Sequence, residues 1–435
     1  MSTIIALASG AGPSGVAVIR VSGPQASGVL MGLCGSLPRP RFASYRTLTD
    51  KHGTILDKAL VLWFPAPASF TGEDVAELQV HGGRAVVADI IEACLGLEGV
   101  ALAKPGDFTR RAFENGKMDL SAAEGLGDLI EAETKAQRRQ AVRQMEGALA
   151  DQVIQWREAI IDALADAEGD IDFPDEDLPP GLTDRARIRI SALRDRLSQH
   201  LAQSQHAIRV RDGFRVAILG VPNAGKSSLL NALAKRDAAI VSPSAGTTRD
   251  IVEVRLVLSG HVIWLADTAG LRNACDDIEA QGIDKALFHA AQADLRIGVI
   301  ETVDGREPLK DLFEPSDIWV LSKADIQNWE NSNDSEIVLS AKTGLGITEL
   351  EAAIIAKANA NMGESEAAPL TRLRHKQAVI STIEALDRSL AAQGHASELV
   401  AEDLRLAVRS LSEIIGRVDM EDVLDRLFAQ FCIGK

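Results

Sequence analysis

The sequence predicts a multidomain chain of mixed class, α/β plus all-α. Three observations predict it. A glycine-rich loop with a strand-like run before it and a helix-like run after it lies near the middle. The stretches flanking that α/β region are poor in glycine and carry apolar residues at helical spacing. The opening stretch instead alternates short apolar runs with Gly, Pro and Asp. The boundaries read as an α+β domain over 1–118, a helical domain in two parts over 119–211 and 361–435, and a nucleotide-binding α/β domain over 212–360. An insertion whose ends lie close together leaves its host domain intact, so the two helical parts read as one discontinuous domain.

Composition sets the outer limits. A chain of 435 residues suggests two or three domains. Hydrophobic residues at 46% and charged residues at 25% are ordinary for a folded globular chain. No apolar run is long enough to span a bilayer and the first residues lack a basic-then-apolar signal pattern, so a cytoplasmic location with no membrane is expected. Cys34, Cys94, Cys275 and Cys432 lie far apart without a C-x-x-C pair, which argues against a zinc or disulfide frame. A net charge of −16 argues against nucleic-acid binding by bulk charge. A nucleic-acid partner needs a local basic patch; Arg138, Arg139 and Arg143 offer one, though on a helix such a run is more often a solvated face.

In the first 118 residues, strands are expected at 4–8, 15–21, 59–64 and 75–80, and helices at 83–97 and 107–115. Between them stand Arg20-Val21-Ser22-Gly23-Pro24, Ser69-Phe70-Thr71-Gly72-Glu73-Asp74 and His81-Gly82-Gly83, which by themselves are turn chemistry. From Leu120 the character changes. Val142, Met145, Leu149, Val153, Trp156, Ile160 and Leu164 recur at helical spacing, predicting one long helix. It breaks at the acidic, proline-bearing run 172–181, and a second long helix is expected over 183–211. Residues 372–431 return to helix, with Leu399, Leu404, Leu406, Leu411, Ile414, Ile415, Val423, Leu424 and Leu427 on apolar faces. The run 363–369 is a candidate hinge.

The chemistry is concentrated in 212–360. Gly220-Val221-Pro222-Asn223-Ala224-Gly225-Lys226-Ser227 fits G-x-x-x-x-G-K-[ST] at every fixed position, between the apolar run 214–219 and the helix opening Ser228-Leu229-Leu230. Such a loop wraps a phosphate in backbone N–H groups at the positive end of a helix. Lys226 would reach the β- and γ-phosphates, and Ser227 would ligate Mg²⁺. Four further stretches follow in order. Gly246-Thr247-Thr248-Arg249-Asp250 carries a threonine, Thr248, able to complete the Mg²⁺ shell. Asp267-Thr268-Ala269-Gly270 closes an apolar run, with Asp267 toward the metal and the Gly270 amide toward the γ-phosphate. Ser322-Lys323-Ala324-Asp325 offers a carboxylate, Asp325, to guanine N1–H and N2–H, and Ser340-Ala341-Lys342 offers amides to guanine O6. Five elements in this order predict a Ras-like P-loop G domain that binds GTP.

Two departures from the usual pattern matter. The base-reading stretch begins with Ser322 in place of Asn, which predicts a loss of about 1 kcal/mol of binding. The position that holds a water-orienting Gln in Ras-like proteins is Leu271. Another group must therefore act. Asn223 in the phosphate loop, with carbonyls of the loop 242–247, could hold a monovalent cation that neutralises developing charge. Glu279 is a candidate to orient the water, against the plain reading of an exposed carboxylate at a helix start.

Taken together, Arg20-Val21-Ser22-Gly23, Ser69 to Asp74 with Glu77, His81-Gly82-Gly83, Asp172-Phe173-Pro174-Asp175-Glu176, Asn223 to Ser228 and the terminal Phe431-Cys432-Ile433-Gly434-Lys435 make a chain that, over essentially its full length, resembles the MnmE (TrmE) family of tRNA-modification GTPases. That resemblance implies an N-terminal folate-binding fold that also forms a homodimer and takes a 5-formyl-tetrahydrofolate-type donor through Arg20, Glu77, Lys117 and Lys435. It implies K⁺ activation, with Asn223, Ser242, Ser244 and Thr247 as ligands, and Mg²⁺ on Ser227 and Thr248. It implies a nucleotide site drawn from Asn223, Ala224, Gly225, Lys226, Ser227, Ser228, Ser242, Pro243, Ser244, Ala245, Gly246, Thr247, Thr248, Asp267, Thr268, Ala269, Gly270, Lys323, Asp325, Ser340, Ala341 and Lys342. Glu279 matches the family's catalytic glutamate. Cys432 is either chemically involved or a buried small hydrophobe. The expected activity is GTP hydrolysis coupled, with the flavoprotein MnmG, to adding an aminomethyl-type (carboxymethylaminomethyl) group at C5 of the wobble uridine of certain tRNAs. Two other readings compete: an Era- or Der-like regulatory GTPase of ribosome assembly, and a one-carbon enzyme whose G domain is only structural.

Overall fold

The computed structural model describes residues 2–172, 182–236, 253–267, 290–329, 336–362, 370–392, 397–417, 421–429, 431 and 434. The expected hinge at 363–369 and most of the acidic break at 172–181 lie outside them. The chain divides into two compact units, one made of 1–127, 144–190 and 384–435, the other of 128–143 and 191–383.

The first unit opens with a six-stranded sheet in the order β3-β4-β5-β2-β1-β6. Its strands are β1 (Thr3–Leu7), β2 (Ser14–Ser22), β3 (Ser44–Thr49), β4 (Ile55–Phe64), β5 (Val75–Gly82) and β6 (Val100–Leu102). All pairings are antiparallel except β1 with β6. Alternation builds one apolar face: Ala59, Val61 and Trp63 on β4, Leu78 and Val80 on β5, and Ile19 and Val21 on β2 are buried. Helices α1 (Ala26–Cys34) and α2 (Arg84–Leu95) pack onto it through Val29, Leu30, Ile90 and Cys94. Burial pushes the Cys94 thiol up to about 12, so it is an inert core group. Helix α3 (Asp107–Glu114) buries Phe108 beside Ile4 and Ala6. The sequence predicts four of these strands and misses β3, β6 and α1; β3 and β6 are edge strands, β3 a largely polar run and β6 only three residues long, too short to show an alternation.

The single helix expected from Leu120 onward is three: α4 (Leu120–Glu131), α5 (Lys135–Met145) and α6 (Ala148–Asp172). The first break is a cap. Thr134 Oγ1 accepts from the Gln137 amide at 3.2 Å, while Gln137 Oε1 accepts from the Glu133 and Thr134 amides at 3.0 and 3.2 Å. The second is Gly147, whose φ of +94° ends α5 in a left-handed turn. Helix α7 (Leu182–Asp212) is the expected second long helix. Arg138, Arg139 and Arg143 are exposed along α5.

Near the far end of the chain, after α8 (Lys226–Arg236) and α9 (Ile347–Asn361) of the second unit, come α10 (Leu373–Ala391), α11 (Ser397–Ile414) and α12 (Glu421–Ala429). Helix α6 packs on α11. Val153, Trp156, Ile160, Ala163 and Ala167 on α6 and Ala401, Leu404, Ala407, Leu411 and Ile414 on α11 are buried stripes at spacings of three and four. Leu399 and Leu406, expected on apolar faces, are 65% and 41% exposed on the opposite side of α11.

The second unit carries another six-stranded sheet, ordered β12-β11-β10-β7-β9-β8. Its strands are β7 (Phe214–Leu219), β8 (Glu253–Leu258), β9 (His261–Asp267), β10 (Leu295–Ile300), β11 (Ile318–Leu321) and β12 (Glu336–Val338). All neighbours are parallel except the edge pair β8–β9. The strands are near-continuous apolar runs, as buried parallel strands are. Helices α8 (Lys226–Arg236) and α9 (Ile347–Asn361) bury Leu229, Leu230, Leu233, Ile347, Leu350 and Ile354 against the sheet. Because β7 has β9 on one side and β10 on the other, the chain reverses direction across the sheet at the end of β7, and crevices for ligands open at such points. No helix among the described residues is long and apolar enough to cross a membrane.

Candidate functional site

The phosphate loop leaves β7 at this reversal point. Gly220 is packed so closely that a Cβ there would lie 2.4 Å from the Val299 carbonyl oxygen. Asn223 adopts φ +64°, a left-handed conformation that asparagine tolerates better than most residues, and Gly225 follows at +101°. The loop is tied by Ala224 N–H to the Val221 carbonyl at 3.2 Å and enters α8 by Leu229 N–H to the Gly225 carbonyl at 2.9 Å. Lys226 is only 6% exposed, and its ammonium donates to the carbonyls of Gly220 at 2.6 Å and Val221 at 3.0 Å. The loop thus has its cation held in its own bend. Ser227 and Ser228 are exposed in the first turn of α8.

The base-reading stretch leaves β11 at the same edge of the sheet. Ser340 Oγ donates to Asp325 Oδ1 at 2.8 Å, and Lys342 Nζ is 3.9 Å from Oδ2. The Ser340 hydroxyl, with Lys342 nearby, holds the Asp325 carboxyl below its usual range, so it is an anion at neutral pH. Ala324 N–H donates to the Leu339 carbonyl at 3.2 Å, fixing this loop to the end of β12. The turn 340–344 is closed by Gly344 N–H on the Ser340 carbonyl at 2.9 Å. Lys323, at φ +58°, pairs with the carboxylate of Glu301, a residue the sequence does not single out although it directly follows β10 at the same edge.

Ser322 proves to have a task of its own. It is 4% exposed, and its hydroxyl is 2.7 Å from the Ala224 carbonyl and 3.0 Å from that of Ile300. The side chain that opens the base-reading stretch therefore points at the phosphate loop, bridging the two ligand-gripping loops. Trp329 Nε1 donates to the Ser322 carbonyl at 3.1 Å. Replacing Ser322 by Ala strands a buried carbonyl at a cost of about 1 kcal/mol. Stopped-flow release of a fluorescent GDP is expected to be about fivefold faster in Ser322→Ala than in the wild type; an unchanged rate would show that the bridge is idle.

Asp267 ends β9, on the opposite side of β7 from β10. Ser242, Pro243, Ser244, Ala245, Gly246, Thr247, Thr248, Thr268, Ala269, Gly270, Leu271 and Glu279 lie outside the described residues, as do Cys432 and Lys435.

In the first unit, Arg20 and Glu77 are strand partners across β2 and β5, and their side chains meet at 2.9 Å. The Arg20 guanidinium also lies 5.3 Å from the Phe70 ring and 5.8 Å from that of Phe108. Lys117 packs on the same 69–74 loop from another side: a Cβ on Gly72 would sit 3.1 Å from Lys117 Cε. Asn115 Nδ2 donates to the Thr71 carbonyl at 2.7 Å. Arg111 organises this region and is missed from sequence, since helical periodicity marks only a polar position on α3. It donates to Glu73 at 2.8 Å, to the Ser22 carbonyl at 3.2 Å and to the Ser2 carbonyl at 2.7 Å. Of the terminal motif, Phe431 meets Phe428 as a tilted pair with ring centroids 5.8 Å apart, and Gly434, at φ +97°, lies so close to β1 that a Cβ would be 2.2 Å from the Leu7 carbonyl oxygen.

The chain matches the family described as "MnmE helical domain" over residues 120–432 and that described as "GTP-binding protein TrmE N-terminus" over residues 3–117. Among curated proteins it is 50% identical over 438 residues to the tRNA modification GTPase MnmE of Maricaulis maris, covering 100% of both chains. It is 50% identical over 440 residues to the protein of the same name from Parvibaculum lavamentivorans, again covering 100% of both. Among solved structures it is similar to the G domain of the T. maritima FeoB iron transporter, at 27% identity over 33% of this chain and 98% of that one, with a TM-score of 0.27.

Proposed function

The chain belongs to the MnmE (TrmE) family of tRNA modification GTPases and is a hydrolase of GTP; from that premise we propose that an alkali ion, in place of an arginine or glutamine side chain, neutralises the charge that develops as the γ-phosphate leaves. The observation that carries the nucleotide reading is the convergence of the phosphate loop, the Ser322–Asp325 loop and the Ser340 turn at one edge of the parallel sheet, joined by the Ser322 hydroxyl. Lys226 meets the β- and γ-phosphates, Asp325 reads guanine, and the amides of Ala224 to Ser228 grip the phosphates.

The donors suit the ions. Asn223 is exposed and held in a left-handed bend, presenting a neutral oxygen of the kind K⁺ takes, with Ser242, Ser244 and Thr247 as the remaining protein ligands. Ser227 and Thr248 offer the hydroxyls that Mg²⁺ takes beside phosphates, with Asp267 acting through water. When bound there, K⁺ would supply positive charge to the phosphates. Glu279 orients the attacking water, since Leu271 cannot. In the first unit, Arg20, Glu77, Lys117 and Lys435 receive a 5-formyl-tetrahydrofolate-type donor, and the same domain forms the homodimer. With the flavoprotein MnmG, the protein adds an aminomethyl-type (carboxymethylaminomethyl) group at C5 of the wobble uridine of certain tRNAs, Cys432 of the terminal motif taking part in that chemistry. Loss of the γ-phosphate opens the G domains and times the cycle.

Two measurements test this. GTP turnover in KCl is expected to exceed that in NaCl by on the order of 10²-fold, and Asn223→Ala to erase the difference; equal wild-type rates in both salts would defeat the cation proposal. Mass spectrometry of tRNA from cells lacking the protein is expected to show wobble uridine without its C5 substituent. Intact modification there would favour a role in ribosome assembly instead.

A further inference from the structure

We infer that the leading edge of β3 is an RNA-binding surface that takes unpaired tRNA bases against exposed rings and their phosphates against neighbouring arginines; the inference rests on the tRNA-modification reading above. The stretch is Arg39-Pro40-Arg41-Phe42-Ala43-Ser44-Tyr45-Arg46. β3 is an edge strand of its sheet. Aromatic residues make up only 4% of the chain, and its one tyrosine is here, 66% exposed, three residues from a phenylalanine that is 51% exposed. The Arg39 guanidinium lies 3.9 Å from the centre of the Phe42 ring, a stacked pair that a base can extend. Arg41, at φ +63°, is anchored by the Ala68 carbonyl and lies 5.6 Å from the Phe64 ring. Pro40 sits in a turn closed by Phe42 N–H on the Arg39 carbonyl at 3.2 Å, so little ordering remains to be done on binding.

Charge favours the same occupant. In a chain of net −16, the stretch from Pro38 to Leu60 holds Arg39, Arg41, Arg46, Lys51 and Lys58 against only Asp50 and Asp57. Both acids are engaged locally, Asp50 with the amides of His52 and Thr54 at 2.8 Å each, and Asp57 with His81 at 2.7 Å. The core of a protein–protein interface is depleted in charge, whereas Arg39 and Arg41 beside the exposed rings of Phe42 and Tyr45 fit the alternation of phosphate and base in a single strand. Unpaired loop bases are the part of a tRNA that can stack in this way.

The test uses the full-length protein and a fluorescein-labelled, unmodified anticodon stem-loop RNA with uridine at the wobble position, read by anisotropy between 50 and 200 mM KCl. Phe42→Ala and Tyr45→Ala are each expected to weaken binding at least about fivefold, and Tyr45→Phe to retain it. Arg39→Gln is expected to flatten the log–log salt slope by about 0.7. GTP turnover without RNA and the mass by light scattering should stay at wild-type values. Variants that bind like the wild type overturn the surface and leave the tRNA reading standing. A wild type that binds no stem-loop overturns both. A fall in mass in Tyr45→Ala overturns the inference by making this edge a protein contact, and equal affinity for a blunt RNA duplex overturns the base-stacking mode.

Discussion

Lys226→Ala is expected to lower GTP turnover by about 10³-fold while leaving the circular dichroism spectrum of the folded chain unchanged. The ammonium is almost fully buried and held by the Gly220 and Val221 carbonyls, so it is already in the bend that wraps the phosphates before any nucleotide arrives. Preorganised charge of this kind costs nothing to reorient as negative charge moves toward the leaving oxygen, and removing one such group costs roughly 10²–10³ in rate. Lys226→Arg should fare little better, because the planar guanidinium cannot fit between two loop carbonyls 2.6 and 3.0 Å from a tetrahedral nitrogen. Single-turnover phosphate release is the measurement. A Lys226→Ala protein within tenfold of wild type would mean that the loop amides bear the catalytic charge alone.

The second large effect is on base choice. Asp325→Asn is expected to weaken GDP binding by about 10³-fold, two charge-assisted hydrogen bonds being worth roughly 1.5–3 kcal/mol each. Xanthosine diphosphate should regain much of that loss, because its O2 can accept from the new amide. Calorimetric titration with both nucleotides checks this, and equal loss for both would place base recognition elsewhere. The carboxyl's acidity adds a pH signature. With its ionisation range depressed chiefly by the Ser340 hydroxyl, Asp325 contributes fully above the ordinary carboxylate range and loses its contribution only as pH falls through the depressed value. The ratio of wild-type to Asp325→Asn affinity for GDP, which cancels the titration of the phosphates, should thus be flat from pH 8 to about 5, and Ser340→Ala should move its acid limb upward.

How much of this is legible in sequence depends on whether the signal is local. The phosphate loop is legible because strict spacing and its two flanks speak together, and β7, the loop and α8 stand where the motif requires. The long helices α6 and α7 are legible from periodicity, but the breaks before α6 are not. Thr134 and Gln137 are unremarkable in a helix-forming stretch until each is seen accepting a bond from the other's backbone, and Gly147 is a lone residue. Contacts between distant residues are the least legible. Arg111 joins Ser2, Ser22 and Glu73, which no periodicity connects. Ser322 reads from sequence as a shortened base contact, whereas its hydroxyl reaches a carbonyl nearly a hundred positions earlier.

The pairing of α6 with α11 has a consequence for biosynthesis. Residues 148–172 leave the ribosome long before residues 397–414, so the apolar stripe of α6 must wait, uncovered, while everything between is translated. The nucleotide-binding sheet is complete by residue 338 and can consolidate during that interval, holding the two ends of its own segment near each other. Its early collapse shortens the effective loop that α6 and α11 have to close. A lesion in that sheet would therefore harm the helical domain during synthesis, and chaperone demand should rise with mutations outside both α6 and α11.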